Sequence, residues 1–264
     1  MDEIPSYCIT LEGDGSRWAL FRQRARGLVG LRVARFRATD CRAQRYQRYA
    51  VLIEPAALRA LDATQRSGER ERHCQLTPGA VGCYLSHLAV LRHAYAAAQP
   101  LALVFEDDAV PPPNLRELLQ LQLAQLEALS ASWDMLVLGY LSPQRPLLPE
   151  PMRLRSFYRL HAYVVSARGM AKVLALGLPL RQQLDSALSD WSDRIEIYGA
   201  VPQLVANDDS LPTTIQLPVA PQQTPPPHRA KAPAKAPTKA PPKAFAKASP
   251  KAFAKAPRAS LLPK

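Results

Sequence analysis

The sequence lacks several features that would assign a protein class at once. It has no run of about 18 apolar residues, the length that a membrane-spanning helix needs. Its first five residues (MDEIP) are acidic and lead into a strand-like segment, so we expect no signal peptide. Its four cysteines are widely spaced and form no CxxC pair, which argues against a disulfide framework or a zinc knuckle. We therefore expect free thiols and a cytoplasmic protein, with peripheral membrane contact left open.

Lysine and acidic residues are distributed very unevenly along the chain. Residues 1–218 hold a single lysine, Lys172, against 23 arginines, whereas residues 219–264 hold eight lysines, two arginines and no acid. Of the formal net charge of +12, +10 therefore lies in the last segment, and residues 1–218 are nearly neutral. The high isoelectric point belongs to the tail and gives no ground for predicting a nucleic-acid-binding fold.

Residues 219–264 are rich in proline and repeat Lys-Ala-Pro or Lys-Ala-Phe about every four residues. Proline lacks the amide donor that helices and sheets need, and like charges extend a chain. We predict a disordered, polyproline-like basic tail after a folded domain of residues 1–218. Such a tail is expected to bind an anionic surface or a polyanion. Because only Phe245 and Phe253 could stack on bases, we expect no sequence-specific recognition of nucleic acid.

Strand-like and helix-like segments alternate through residues 1–218. Strand candidates are Ser6–Leu11, Leu31–Ala38, Leu101–Phe105, Met135–Leu138, His161–Val165 and Ile195–Tyr198. Helix candidates are Arg17–Arg26, Thr77–Ala98, Leu115–Leu129 (with Asn114 and Glu117 as a capping box) and Ala167–Leu176. This alternation predicts an α/β fold with a mostly parallel sheet and helices on both faces. In such sheets ligands bind beyond the carboxyl ends of the strands.

Three consecutive acids, Glu106, Asp107 and Asp108, directly follow the apolar strand candidate Leu101–Phe105. Adjacent carboxylates repel one another, and that repulsion is poorly screened beside a buried strand. A divalent cation would offset it, and Mg²⁺ or Mn²⁺ prefers oxygen ligands. The alternative interpretation is a solvated acidic loop.

Other candidate residues are more isolated. Asp185, Asp190 and Asp193 lie in and after a leucine-rich stretch, where one carboxylate could act as a general base or Asp185 or Asp190 could cap a helix. His87 and His161 are not at metal-ligand spacing from another histidine, so we expect core or edge residues. The sequence contains no GxSxG, P-loop or GxGxxG motif.

The order of these segments resembles glycosyltransferase family 25, which includes lipooligosaccharide and procollagen galactosyltransferases. Residues 76–88 (LTPGAVGCYLSHL) are similar to the family segment LTxGEIGCxLSH, and residues 103–108 (LVFEDD) resemble its LVLEDD strand and metal motif. Weaker similarity occurs near the family segments INLDRRxDRxxxF (residues 9–21), THAYLISxxGAxKLL (161–172), LPVDxxL (178–185) and PPLV (202–205). The resemblance spans residues 4–217.

The resemblance implies a GT-A-like nucleotide-sugar-binding fold. It implies that Glu106 and Asp108 hold Mn²⁺, or Mg²⁺, on the donor diphosphate and that Asp107 supports the sugar or ribose. The family is regarded as inverting, so one base that deprotonates the acceptor hydroxyl suffices. We expect Asp185 to be that base, with Asp190 and Asp193 as alternates.

Four further residues are expected to line the nucleotide side of the site: Thr10, Arg17, Ser86 and His87. The chain also departs from the family pattern in three places. Ala80 stands where the family usually has Glu, Leu11-Glu12-Gly13-Asp14 replaces the LDRR run, and six positions separate Pro179 from Asp185 instead of about two. The last departure bears on the choice of base.

These expectations predict a metal-dependent inverting glycosyltransferase. It would move a hexose, galactose or glucose, from a UDP-sugar to an acceptor hydroxyl on a glycan, a lipid-linked sugar or a protein. The alternative is an inactive glycosyltransferase-like protein that binds a polyanion or an anionic surface through its basic tail. The intact acidic triplet favours the enzyme.

Overall fold

A computed structural model describes residues 4–28, 31–43, 45–130, 132–213 and 215–217. The basic tail predicted for residues 219–264 lies outside the described residues, so its disorder stays a prediction.

Nine strands are found in the described residues: β1 (Ser6–Thr10), β2 (Val33–Arg37), β3 (Leu101–Glu106), β4 (Ala109–Val110), β5 (Met135–Leu141), β6 (Met152–Arg153), β7 (Tyr158–Ser166), β8 (Ile197–Gly199) and β9 (Ala206–Asn207). Seven of them form the central sheet in the order β2-β1-β3-β7-β5-β8-β6. Strands β4 and β9 form a separate antiparallel pair.

Five strands of the central sheet run in one direction, while β6 and β7 run in the other. The predicted α/β class with a mostly parallel central sheet is therefore confirmed. The antiparallel β7 between β3 and β5 was not predicted. The chain between β5 and β7 contains the two-residue strand β6 but no crossover helix, which a parallel connection between neighbouring strands would need.

The helices are α1 (Gly15–Ala25), α2 (Pro55–Ser67), α3 (Pro78–Ala96), α4 (Leu115–Leu129), α5 (Ala167–Leu176) and α6 (Leu184–Asp190), with a 3-10 helix at Arg45–Leu52. Helices α1 and α4 pack on one face of the sheet, and α2, α3, α5 and α6 pack on the other. Along β3, Ala102 and Val104 face one core while Leu103 and Phe105 face the other. All four are fully buried, as predicted for a strand covered on both sides.

Two predictions about helix caps differ from the structure. Asn114 is the N-cap residue of α4, as predicted, but its side chain makes no capping hydrogen bond, so the predicted capping box does not form. Neither Asp185 nor Asp190 caps α6, because the residue at that N-cap is Gln183. Helix α2, helix α6 and the 3-10 helix at residues 45–52 were not predicted.

Helix α3 lies unusually close to the loop that follows β2. Thr77 caps the helix by accepting a hydrogen bond from the amide of Ala80 at 3.0 Å. Inside the first turns, a Cβ atom built on Gly82 would lie 2.4 Å from the carbonyl oxygen of Thr39. Only glycine permits this approach, and it brings the next residues of α3 to the carboxyl end of β3.

We predict that Gly82→Ala lowers the free energy of unfolding by about 1–3 kcal/mol, because the new methyl group must displace the Thr39 carbonyl. Gly13→Ala is the matched control, since a Cβ there meets no heavy atom within 4 Å. Its effect should stay within about 0.5 kcal/mol. Urea unfolding of both variants measures the difference, and equal stabilities would contradict the close packing of α3.

Candidate functional site

Two cavities lie beyond the carboxyl ends of β1 and β3. The small pocket is lined by residues that include Thr10, Arg17, Ser86, His87, Glu106 and Asp107. The large cleft, of about 840 Å³, is lined by residues that include His87, Glu106, Asp108, His161 and Asp185. The structure therefore groups the predicted nucleotide-side residues in one pocket and the predicted metal and base residues in the other. Glu106 and His87 line both.

Strand register explains the position of Glu106. The residue pairs with Ile9 of β1 on one side, so Thr10 is the next residue of that strand. On the other side, Phe105 pairs with Ala162 of β7, which makes His161 the neighbour of Glu106 in the adjacent antiparallel strand. The antiparallel direction of β7 thus brings a histidine to the predicted carboxylate site.

Arg17 binds the second and third acids of the triplet. Asp14 caps α1 by accepting a hydrogen bond from the Arg17 amide at 3.3 Å, which sets the position of the side chain. The guanidinium Nε donates to Asp107 Oδ1 at 2.7 Å, and Nη2 lies 3.5 Å from Asp108 Oδ2. Asp107 is consequently neutralised by Arg17 and does not project free into the cleft.

His87 contacts the first acid of the triplet. Its Nε2 lies 3.1 Å from Glu106 Oε1, and its Nδ1 lies 3.0 Å from the hydroxyl of Tyr163. Burial on its own would raise the pKa of Glu106, but the hydrogen bond and charge of His87 hold that pKa below its usual range. Glu106 is therefore a carboxylate at neutral pH.

The pKa of Asp108 is shifted in the opposite direction from that of Glu106. Burial, followed by repulsion from Glu106, raises the pKa of Asp108 to about 7, although Arg17 opposes the shift. Its Oδ1 is buried and has no hydrogen-bond partner among the described residues. Buried polar atoms are nearly always paired, so this oxygen is well suited to a ligand in the cleft.

His161 was predicted to be a core or edge residue, and it is indeed buried, but it also lines the cleft. Its Nε2 donates to the carbonyl of Val205 at 3.0 Å, which leaves the lone pair on Nδ1. Burial lowers the pKa of His161 and favours the neutral ring. In the described part of the chain Nδ1 has no partner. This nitrogen and the Asp108 oxygen are two separate unpaired atoms on residues that line the cleft, and the described residues show no group of three converging donor atoms that includes either of them.

Asp185 reaches the cleft from the first turn of α6. Its Oδ2 accepts a hydrogen bond from the amide of Arg159 at 2.9 Å, and Arg159 adopts a left-handed backbone conformation (φ 69°) that is costly for a residue other than glycine. Burial raises the pKa of Asp185. The alternates do not line either cavity: Asp190 accepts from Gln182 at 2.6 Å, and Asp193 pairs with Arg155 at the surface.

The two hydroxyl residues of the small pocket differ. Ser86 accepts a hydrogen bond from the Thr39 amide at 2.7 Å and donates to the Gly82 carbonyl at 2.6 Å, so its hydroxyl connects α3 to the loop and its only donor is already used. The Oγ1 atom of Thr10 is buried and, within the described ranges, unpaired. Thr10 is therefore better suited than Ser86 to contact a ligand.

Arg70 is a further cleft residue that sequence reasoning missed. It is only 6% exposed and donates to the carbonyl groups of Leu217 and His73, each at 2.8 Å. Burial lowers the pKa of Arg70, and no carboxylate of the described chain pairs with it. No motif marks this residue, because it belongs to a polar stretch between α2 and α3 that has no hydrophobic periodicity.

An α/β sheet that ends in a carboxylate cluster, with a pocket on one side and a cleft on the other, occurs in many enzyme classes, and the match to a family model assigns this chain to the glycosyltransferase-like proteins. The particular family follows from the sequence. The chain belongs to glycosyltransferase family 25: the family described as "Glycosyltransferase family 25 (LPS biosynthesis protein)" matches residues 3–140. The resemblance noted from the motifs is therefore confirmed.

Curated relatives carry the name of an inactive member of this family. The chain is 31% identical over 141 residues to the human protein named "Inactive glycosyltransferase 25 family member 3", a match that covers 50% of this chain and 24% of the human protein. It is 33% identical over 115 residues to the bovine "Probable inactive glycosyltransferase 25 family member 3", covering 41% of this chain and 19% of that protein. The chain thus spans about a quarter or less of these relatives.

Two solved structures are similar to the chain at low identity. UDP-glucose pyrophosphorylase from Acinetobacter baumanii has a TM-score of 0.41 and 10% identity, covering 78% of this chain and 88% of that one. Apo mouse xyloside xylosyltransferase 1 has a TM-score of 0.34 and 12% identity, covering 78% and 79%. Both TM-scores are below 0.5, so they add nothing to the assignment.

None of the described helices is both long and apolar enough to cross a membrane.

The raised pKa of Asp108 predicts a pH-dependent effect on stability. Because the carboxyl group titrates near pH 7 in the folded chain and near 4 when unfolded, its ionisation destabilises the metal-free fold increasingly between pH 4 and 7. We expect Asp108→Asn to stabilise the metal-free protein by roughly 1–4 kcal/mol at pH 8 and by almost nothing at pH 4. Urea unfolding at the two pH values in chelator tests this. If the substitution changes the free energy of unfolding equally at both pH values, the prediction is contradicted. Asp193→Asn, which changes an exposed carboxylate, is the control.

Proposed function

We propose that this family 25 chain is a metal-dependent inverting hexosyltransferase that transfers galactose or glucose from a UDP-sugar to an acceptor hydroxyl. One observation carries the proposal: Glu106 and Asp108, at the end of β3, line the same cleft as a partly buried carboxylate, Asp185, that comes from a distant part of the sequence. A metal-binding acidic pair and a separate base are the two elements that such a reaction needs.

The small pocket, of about 60 Å³, has room for only one end of the donor nucleotide, so the rest of the nucleotide would lie in the large cleft, which shares His87 and Glu106 with the pocket. Thr10 offers an unpaired hydroxyl oxygen, and Arg17 aligns Asp107 for the ribose or sugar. Ser86 and His87 shape the wall from α3. In this proposal Ser86 and His87 act by position, because their polar atoms already have protein partners.

Glu106 and Asp108 would hold Mn²⁺ or Mg²⁺, with the free Nδ1 of His161 as an additional donor on the cleft wall. Such a cation would supply Lewis-acid stabilisation of the departing diphosphate. The buried guanidinium of Arg70 lines the same cleft and would add a fixed positive charge on that side.

Asp185 would accept the proton of the acceptor hydroxyl. A carboxylate whose pKa is raised by burial is a stronger base than a solvated one. The Arg159 amide holds Oδ2 at 2.9 Å and the Ser186 amide holds Oδ1 at 2.7 Å, so the side chain is oriented without a neutralising cation. One base on the face of the sugar ring opposite the departing diphosphate is sufficient for inversion.

The names of the relatives favour a second candidate, an inactive protein that binds a polyanion or an anionic surface through residues 219–264. The presence of Glu106, Asp108 and Asp185 favours the enzyme, because grouping three partly buried carboxylates around one cleft is costly and is typical of a functional site. Salt titration of DNA binding with and without residues 219–264 measures the contribution of the tail.

We predict that UDP binds the full chain in the presence of Mn²⁺ and that one nucleotide sugar of a panel is slowly hydrolysed. Chelator or Asp108→Asn should weaken UDP binding by at least about 10-fold, since one charge-assisted contact to the metal is lost. Asp193→Asn, which changes an exposed carboxylate outside both cavities, is the control. Calorimetric titration with UDP and Mn²⁺ measures the effect, and absence of binding in the unaltered chain would support the inactive candidate.

We predict that Asp185→Asn keeps the affinity for UDP and Mn²⁺ but lowers the rate of donor hydrolysis by about 100-fold or more, because a general base contributes that much. Asp190→Asn is the matched control on the same helix and should leave both quantities unchanged, since it lies outside the cleft. If the two variants hydrolyse the donor equally fast, Asp185 is not the base.

A further inference from the structure

Three potential metal ligands of different chemical type converge at one point between α3 and β3. Cys83 and His87 are four residues apart on α3 and therefore share a face of the helix. That face lies against the end of β3, where Glu106 stands. The Cys83 sulfur, a His87 ring nitrogen and a Glu106 carboxylate oxygen all lie within 4.8 Å of one another.

The separations of these atoms suit a tetrahedral ion. Glu106 Oε1 lies 3.1 Å from His87 Nε2 and 3.8 Å from Cys83 Sγ. Zinc bonds to nitrogen, oxygen and sulfur are about 2.0–2.3 Å long, so the ligand atoms of a tetrahedral zinc site lie roughly 3.3–3.8 Å apart. The two distances from Glu106 are thus close to those of a zinc site, and the third separation, between Cys83 and His87, is below 4.8 Å.

Tyr163 orients the histidine for this role. Its hydroxyl lies 3.0 Å from His87 Nδ1, which leaves Nε2 directed at Glu106. A ligating histidine almost always has its second ring nitrogen hydrogen-bonded, and a tyrosine hydroxyl can either donate to that nitrogen or accept from it. The imidazole can therefore present the Nε2 lone pair to a metal while Nδ1–H donates to Tyr163.

We propose that Cys83, His87 and Glu106 form a Zn²⁺ site that is chemically distinct from the proposed Mn²⁺ site. The thiol and imidazole are soft and borderline donors that favour Zn²⁺ over Mn²⁺, whereas Glu106 and Asp108 offer hard oxygens. Binding forms the zinc–sulfur bond and releases the Cys83 thiol proton to solvent. The remaining coordination position is open to water, because Cys83, His87 and Glu106 all line the cleft.

The two sites share Glu106, which gives zinc a specific effect. A zinc ion bound to Glu106 Oε1 withdraws that carboxylate from the proposed donor-metal site and adds positive charge beside it. Zinc is therefore expected to compete with UDP and Mn²⁺. This consequence rests on the proposed function, but the binding of zinc itself does not.

The first test measures zinc alone, by competition of the reduced, metal-free full chain with a chromophoric chelator. We expect one zinc ion per chain. Cys83→Ser should weaken the binding by more than about 10-fold, since even loss of a group that only orients a ligand costs 10–100-fold. Cys74→Ser is the matched control, because Cys74 is also a partly buried free thiol but lies outside the cluster.

Asp108→Asn separates the two metal sites. It should leave the zinc affinity nearly unchanged, because Asp108 is not among the three ligands. If Asp108→Asn abolishes zinc binding and Cys83→Ser does not, the ion occupies the carboxylate site and the proposal is overturned. Equal zinc affinities of Cys83→Ser and Cys74→Ser would overturn it as well.

Cobalt provides a readout that depends on no variant. Co²⁺ in the unaltered chain should give a thiolate-to-cobalt charge-transfer absorption and the intense visible bands of a tetrahedral ion. Absence of the thiolate band contradicts the proposal even if Cys83→Ser does not fold.

A final experiment measures competition between zinc and the donor site. Zinc should lower UDP and Mn²⁺ binding in the unaltered chain but not in Cys83→Ser. If UDP does not bind even without zinc, the proposed function fails while the zinc result stands.

Discussion

The concentration of negative charge at the end of β3 is the constraint around which the site is arranged. Three consecutive carboxylates follow a fully buried strand, where their mutual repulsion is only weakly screened. The chain offsets this charge unequally. Arg17 neutralises Asp107, His87 keeps Glu106 ionised, and Asp108 is left with a raised pKa and an unpaired oxygen. This residual imbalance is the physical basis for expecting a cation.

The elements that offset the charge are themselves set by close packing. Gly82 allows α3 to lie against the loop after β2, and the same helix then presents Cys83 and His87 to Glu106. Because β7 runs antiparallel between β3 and β5, it adds His161 next to Glu106. Glu106 is therefore shared by two sets of potential metal ligands. One set contains the carboxylate of Asp108, and the other contains the sulfur of Cys83 and the ring nitrogen of His87.

Membership in glycosyltransferase family 25 gives this arrangement its functional context. The curated relatives that match the chain are named inactive, yet this chain keeps a carboxylate pair, a buried candidate base and a pocket beside them. The Ala80 position, where the family usually has Glu, lies on the cleft wall and is buried. Its missing carboxylate reduces the negative charge on that wall, which makes the remaining acids more important for holding a cation.

Much of the fold was predictable from the sequence because local patterns determine it. The bounds of α4 and α5 match the predicted segments, the double-sided burial of β3 follows from its continuous apolar run, and the motif around Cys83 and the acidic triplet identifies the family. Helix α2, the 3-10 helix and α6 were missed, although Pro55 at the start of α2 and Gly68 after its end are typical helix-boundary signals. The sequence also could not select Asp185 over Asp190 and Asp193, nor reveal Arg70, His161 or the Cys83–His87–Glu106 cluster as parts of one site. Those relations join residues far apart in the chain. Only the tertiary structure, through strand register, the direction of β7 and the packing of α3, brings Cys83, His87 and Glu106 within 4.8 Å of one another and places the other residues around the same cleft.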